Sequence, residues 1–586
     1  MKKEKNNLEA LRHSLAHIMM QALENLYQAI PGVGPAIDNG FYHDFDAKYQ
    51  VKEEDLVKIE TEMKKIIKQD LEIKKKEMPV DEGIKFLQEK KYKYTAELAE
   101  DLKSEGEKGI SFYEQGDFIN MCKGPHLEST GKIKPDAFKL IKVAGAYWRG
   151  DEKNKMIQRI YSVAFNSKKE LDDYSAMMEE AEKRDHRKLG KELDLFMIAE
   201  EVGQGLVMYL PKGAFIYKKL QDYMYEKEYQ HGYSFVLTPV LAKSRMYEQS
   251  GHLSHYHDDM YSPIDIDGED YYLKPMNCPH HHIMYKNGIK SYRDLPLRIA
   301  DFGMIHRYER SGVLTGIIRA RNFCQNDAHI YCTKEQIKGE FIKVLQLFDE
   351  VYQDFNIKDY WFRLSLPDYN DQEKYGDLEN REMWEYSADV AREAMKEHGV
   401  KFEEVEGEAA FYGPKIDVQT KNVLGKEDTI ATIQVDFYMP EKFDLTFINN
   451  KSEEQRPVII HRAIMGSFDR FLAFLIEKTG GNFPVWLSPV QVKVISVSEK
   501  HIEYCQNLAD EFKAANIRVE VDISNETVGN KIRKAVNEKV PYMLVVGDKE
   551  IGSKNLAVRD RGQKDTREIE KKEFIKEIKE KIENRD

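Results

Sequence analysis

Residues 301–332 read DFGMIHRYERSGVLTGIIRARNFCQNDAHIYC, and the reading of this stretch decides the fold. Its first part (FGMIHRYE) is β-like, a Gly-containing turn follows (SGVLTG), and the return (IIRARNFCQNDAHIYC) is β-like again. The pattern predicts a hairpin with a long loop. Arg307, Arg310, Arg319 and Arg321 stand on or beside that loop. A guanidinium is a planar fork of N–H donors that matches phosphate and carboxylate oxygens, so the hairpin is expected to clamp a nucleotide phosphate. A merely basic surface hairpin is the alternative.

Flanking segments favour the clamp. Downstream, HRAIMGSFDRFLAFLIE (residues 461–477) is a Gly-Ser turn opening an amphipathic helix with Arg470 in its first turns, a second place for a phosphate. Upstream, residues 215–230 predict an amphipathic helix that runs into YSFVLTPV, read as a strand ended by Pro239. The order helix–strand–Pro, hairpin with HRYE, then helix with Gly466 and Arg470 resembles the three signature motifs of class II aminoacyl-tRNA synthetases. With NCPHH (277–281), QNDAH (325–329) and FYGPKID (411–417), the chain is similar to the threonyl-tRNA synthetase family over nearly its whole length. The resemblance implies a multidomain α+β protein: an N-terminal α+β editing domain (1–166), a helical linker (167–189), a class II antiparallel-sheet catalytic domain (190–487) and a C-terminal α/β anticodon-binding domain (488–586).

Bulk properties fit that size. The 586 residues suffice for three or four domains, and 41% hydrophobic with 33% charged residues describes a globular chain with ample core. A formal charge of −13 argues against a generally basic nucleic-acid binder but leaves room for a local basic face. Five cysteines, Cys122, Cys278, Cys324, Cys332 and Cys505, make no disulfide framework and suit a reducing compartment. The N-terminal stretch is broken by Arg12, His13 and His17, so no signal peptide is expected. No apolar run approaches the ~18 residues of a membrane span. A cytoplasmic location is expected.

Residues 8–30 have helical periodicity and place His13 and His17 at i, i+4 on one face. NMCKGPHLEST (120–130) sets Cys122 and His126 four apart around a Gly-Pro turn. Two imidazoles on a helix facing a thiol and an imidazole on a loop can bind zinc or position a hydrolytic water. HSLAH with CKGPH resembles the editing domain of threonyl- and alanyl-tRNA synthetases, which hydrolyses mischarged tRNA; the threonyl resemblance implies a site working without metal. Many relatives have Asp where this chain has Asn120. The small ubiquitin-like domain that bacterial relatives commonly carry ahead of this helix is expected to be absent. Strand-like GFYHDF, ISFYEQGDFINM and MIQRIYSVAF alternate with charged helices, and residues 166–189 predict a solvated connecting helix.

In the catalytic region the His-rich patches at 251–257 and 280–282 invite a metal reading. Consecutive histidines cannot all face one ion, and these patches are read as surface or tRNA contact. His252, His255 and His257 are held as an alternative metal set. Spacing offers no local zinc signature, but the resemblance implies that Cys278, His329 and His461 hold one Zn²⁺ per subunit, leaving an open position. It implies too that Arg307 holds the amino-acid carboxylate and α-phosphate, Arg319 the γ-phosphate and Arg470 the other side of the triphosphate, with Mg²⁺ accompanying ATP. Gln325, Asp327, Tyr412, Lys415 and Gln434 complete the implied pocket, with Thr429 standing where relatives frequently have Gln. After Pro489 the pattern becomes βαβαβ-like, and the resemblance places Asn525, Glu550 and Arg559 on anticodon-reading positions, Thr527 replacing a common Lys. Partners expected on this ground are tRNA(Thr), ATP, L-threonine and a second copy of the chain, with no membrane. Two rival readings stand beside this one. A tRNA-binding regulatory paralogue would lose the phosphate arginines. A metallo-hydrolase of aminoacyl-tRNA would need only HSLAH and CKGPH.

Overall fold

The structure is a computed structural model that describes the chain except Met1, residues 372–374, 376–377, 379–380 and Phe411; of residues 2–6 and His255 only the backbone is described. Phe411, first residue of the FYGPKID motif, and the His255 side chain therefore lie outside the described residues. The chain forms two compact units, Met1–Glu179 and Glu180–Asp586.

In the first unit a long helix, Lys2–Tyr27, lays an apolar face on a five-stranded sheet. Leu15, Ala16, Met19 and Leu23 from the helix meet Phe41, Phe45 and Ile160 from the strands Gly40–Asp46 and Met156–Ala164, and Ile59 and Met63 from the helix Leu56–Lys68. A smaller sheet, Ile73–Pro79, Gly109–Gln115 and Phe118–Met121, is antiparallel throughout and delivers the chain to Cys122.

The second unit is built on an eight-stranded sheet. Its order is Ser234–Phe235, Leu297–His306, Asn322–Cys332, Val458–Ser467, Glu427–Asp436, Lys415–Lys421, Tyr360–Leu366 and Phe402–Glu406. All neighbours are antiparallel except the two edge pairs. The hairpin expected from residues 301–332 forms its second and third strands, in register from Leu297 opposite Tyr331 to His306 opposite Asn322.

Three expectations need correction. YSFVLTPV is not one strand: only Ser234–Phe235 pairs with Leu297–His306, in parallel. Beyond Val236, whose N–H still reaches Ala300 O, Thr238 turns its hydroxyl in to Asp301 while Leu237 faces solvent. Nor do residues 166–189 form one solvated helix. Asp185 leaves helical geometry and its carboxylate accepts the Arg187 N–H at 2.7 Å, capping a new helix, His186–Glu192. His186 and Leu189 are buried there, and His186 Nδ1 lies 2.7 Å from Glu477. Finally, His280, His281, His282 and His252 are buried, so they are no surface patch; among the described histidines of the two patches, His257 is the exposed one. The helix Cys278–Tyr285 is covered on several sides, and a helix wrapped by protein gives no one-sided apolar stripe to betray it.

Residues 491–570 form a separate five-stranded sheet with Val492–Ser496 between Val519–Asp522 and Tyr542–Val546, all parallel, followed by antiparallel Asn555–Asp560 and Arg567–Glu570. The helices Ile502–Ala514 and Val528–Asn537 are its crossovers and Lys571–Glu583 closes the chain. Among the described residues no helix is long and apolar enough to cross a membrane, and all five cysteines are free.

Candidate active site and editing centre

One row of residues crosses the large sheet. Lys415 stands opposite Gln434, Gln434 opposite His461, and His461 opposite His329, on four successive strands. Cross-strand neighbours share a face, so the pleat alone gathers four of the expected site residues. Tyr412 donates its O–H to Gln434 Oε1, and Lys415 Nζ pairs with Asp417 at 2.9 Å. Thr429 accepts from the Gln419 amide at 2.8 Å. Along Asn322–Cys332 the same alternation brings Gln325 and Asp327 to the face of His329. Asp327 is buried and accepts from Asn277 Nδ2 at 3.1 Å; burial pushes its carboxyl above the ordinary range, opposed by His281 and His461. Gly303 admits that amide: a Cβ there would sit 2.0 Å from Asn277 Oδ1.

Cys278, His329 and His461 each offer a ligand atom, all within 4.8 Å of one another. The donor set fits a divalent cation. His461 Nε2 is held by Asp436 Oδ2 at 2.8 Å, which leaves Nδ1 for an ion, and His329 Nε2 is buried with no hydrogen-bond partner. Thiol and imidazoles are the ligands zinc prefers.

Beside this row lies the arginine cluster. Ser467 ends its strand as the N-cap of the helix Phe468–Thr479, its hydroxyl accepting from Arg470 N at 3.1 Å, and Gly480 closes that helix at φ 59°. Arg470 is solvent-exposed yet surrounded by protein, as a group in an open cleft is. That surrounding lowers its pKa; the charges of Arg307 and Arg319 lower it further, while Asp428 opposes them. Arg319 pairs with Glu309 at 2.9 Å, and Arg307 donates to Pro275 O at 3.3 Å. Mutual repulsion among cations held this close is relieved by an anion between them.

Two buried polar sets were missed by sequence reasoning. Arg462 and Glu228 form an ion pair at 2.6 Å with neither side chain exposed, joined by Asn326 Nδ2 at 2.8 Å to Glu228 and by Tyr233 beneath the guanidinium. Asp469 accepts from Tyr209 at 2.6 Å, Tyr217 at 3.0 Å and Cys324 N at 2.8 Å. Each ties the strands that carry the site to the helix Pro211–Gln230 or its approach. The only signal was a charged residue inside an apolar run.

In the first unit His13, Cys122 and His126 place donor atoms within 4.8 Å, a spacing that suits an ion or a held water. His126 Nε2 is 3.3 Å from Cys122 Sγ and its Nδ1 is 3.3 Å from Ser14 Oγ; His17 meets the His126 ring edge-on. Burial pushes His126 down to about 3, takes His17 well below its usual range and raises the Cys122 thiol. Neutral imidazoles can accept a proton from water. Asn120 is buried, its Oδ1 spent on the Met121 N–H at 2.9 Å.

Of the expected anticodon positions, Asn525 is exposed, Glu550 Oε2 accepts the Gly547 N–H at 2.8 Å, Arg559 donates to Gln563 O at 2.8 Å, and Thr527 caps Val528–Asn537. The structure spreads them over the segment after Asp522, the short helix Asp548–Ile551 and the strand Asn555–Asp560.

An antiparallel sheet bearing an arginine-lined cleft between a long-looped hairpin and a capped helix defines a class II aminoacyl-tRNA synthetase core, and residues 261–479 match the model of that core for the G, H, P, S and T enzymes. Residues 491–581 match an anticodon binding domain, and residues 110–161 the threonyl and alanyl tRNA synthetase second additional domain. The chain is 51% identical to a threonine–tRNA ligase of Geobacillus kaustophilus over 97% of this chain and 86% of that protein, and 48% identical to one of Listeria monocytogenes over 97% and 89%. Among solved structures it resembles the RNA binding domain of a threonyl-tRNA synthetase from Cryptosporidium parvum (TM-score 0.63, 36% identity, 68% of this chain and 98% of that one). It also resembles a putative threonyl-tRNA synthetase from Aeropyrum pernix (0.60, 28%, 69% and 96%). The chain belongs to the threonyl-tRNA synthetase family.

Proposed function

We propose that this chain joins L-threonine to tRNA(Thr) through threonyl-adenylate, with MgATP as nucleotide substrate, and hydrolyses Ser-tRNA(Thr). The observation that carries the reading is the row Lys415–Gln434–His461–His329 running beside the Arg307–Arg319–Arg470 cleft. Arg307 orients the carboxylate toward the α-phosphate, and Arg319 and Arg470 flank the triphosphate as charge builds on the oxygens. Gln325, Tyr412, Lys415 and Gln434 line the pocket; Asp327 takes the threonine hydroxyl hydrogen bond. Cys278, His329 and His461 hold one zinc, which when bound supplies a Lewis acid for the amino and hydroxyl groups. A site that binds a hydroxyl rejects its isosteric analogue valine by roughly 10⁴–10⁵. Serine lacks only a methyl, about 10–200-fold, which explains a second, hydrolytic site on the same chain. Asn525, Glu550 and Arg559 face the anticodon. The protein works in the cytoplasm as a homodimer that pairs through the helix Pro211–Gln230. ATP–pyrophosphate exchange with each standard amino acid tests the whole: exchange must be strongest with threonine, weak with serine and negligible with valine.

In the editing centre, His13, His17, Cys122 and His126 hold the attacking water and terminal adenosine. His13→Ala with Cys122→Ala should leave threonine activation intact and let Ser-tRNA(Thr) accumulate. Because the Asn120 amide cannot take up a proton, Asn120→Asp should hydrolyse pre-formed Ser-tRNA(Thr) faster than the parent. A seryl ester that decays no faster with the parent than in buffer refutes the editing role.

A further inference from the structure

His281 lies one turn after Cys278 on the helix Cys278–Tyr285 and is fully buried. Its Nδ1 is 2.7 Å from Nδ1 of His329. Two imidazole nitrogens approach so closely only when one carries a hydrogen and the other a lone pair. On the far side, His281 Nε2 makes no hydrogen bond and faces the Asp301 carboxylate across 3.7 Å, a distance at which charge still acts. Asp301 accepts the Thr238 hydroxyl at 2.6 Å, and Thr238 accepts from the buried Lys274 ammonium at 2.6 Å.

These contacts select one arrangement of hydrogens. An ionised carboxylate only accepts, so the hydrogen of a neutral His281 belongs on Nε2, toward Asp301. Its Nδ1 lone pair then receives the N–H of His329 Nδ1. The remaining lone pair of His329 is on Nε2, a buried atom without a hydrogen-bond partner, on a residue grouped with Cys278 and His461. The opposite arrangement puts a hydrogen on that Nε2 and turns a bare lone pair of His281 toward a carboxylate. We propose that His281, backed by Asp301, is a positioning residue that fixes the tautomer of His329 and so presents its Nε2 to a divalent cation. The proposal rests on the zinc reading above. It also distinguishes the two imidazole ligands: His461 is oriented by Asp436 directly, whereas His329 is oriented by a carboxylate acting through a second imidazole. Because Cys278 and His281 are i, i+3, one helical turn supplies both the thiol ligand and the group that aims its neighbour.

The test is zinc affinity of the full chain, measured by competition with a chromophoric chelator, for the parent, His281→Ala, His281→Gln and Asp301→Asn. Loss of an outer partner of a metal-bound imidazole weakens metal binding about 10–100-fold. His281→Ala should lose that much. Asp301→Asn should weaken binding in the same direction, and His281→Gln, whose carbonyl can accept the His329 N–H, should recover most of it. Visible spectra of the cobalt-loaded forms report whether His329 still ligates, and melting of the metal-free proteins separates a folding defect from a ligand defect. Parent-like affinity in folded His281→Ala, or in folded Asp301→Asn if the former does not fold, overturns the relay and leaves the metal site standing. A parent chain that takes up no zinc overturns both.

Discussion

Arg470→Ala is expected to lower threonyl-adenylate formation by roughly 10²–10³-fold, the loss seen when a preorganised group aimed at developing charge is removed. The effect falls on the chemical step because Arg470 stands on the first turn of a capped helix, already in place before ATP arrives. Removing one of three neighbouring guanidinium groups also relieves their repulsion in the empty cleft, so ATP binding should suffer less than turnover. Arg307→Ala should behave alike. The helix is held by Phe468, Phe471 and Leu472, not by Arg470, so the fold survives. Single-turnover adenylate formation beside equilibrium ATP binding makes the distinction; near-parental pyrophosphate exchange in either variant would remove these arginines from the mechanism.

Cys278→Ala is expected to abolish zinc binding and most threonine activation with it. Parent protein should contain about one zinc per chain and the variant none, because two imidazoles alone leave a divalent ion short of ligands. Whatever activation persists should separate threonine from valine by no more than about 10²-fold, the limit for a pocket that tells a hydroxyl from a methyl by shape. Metal analysis of the purified variant decides the first point and exchange with each amino acid the second. Zinc retained in full would move the site elsewhere, and His252, His255 and His257 then require testing.

Much of this was legible in the sequence because it is local. The hairpin of residues 301–332 shows its strands and turn within one stretch, and its arginines sit where the turn places them. Two helix starts were nearly as plain, since Ser467 and Thr527 mark them chemically, whereas the helix expected from residue 215 begins at Pro211. What could not be read depends on strands meeting. The pair Arg462–Glu228 and the acceptor Asp469 become intelligible only once partners 98 to 260 residues away in sequence close around them. His281 and His282 were misjudged for the same reason: polarity predicts exposure until a buried His329, Asp301 or Tyr331 comes into place beside them. YSFVLTPV failed differently, for its β-branched residues promise a strand while Pro239 and the inward hydroxyl of Thr238 end the pairing early.

Two of the metal-ligand candidates, His329 and His461, stand on central strands of an eight-stranded sheet and Cys278 on the helix Cys278–Tyr285, while Arg319 stands on the excursion between the strands Leu297–His306 and Asn322–Cys332. Local opening begins where backbone hydrogen bonds face water and apolar contacts are few, and it reaches central strands last. On this ground the strands bearing His329 and His461 are expected to outlast the excursion bearing Arg319 when the fold opens locally. With the roles proposed for these residues, threonine binding should survive a denaturant concentration at which adenylate formation has already failed.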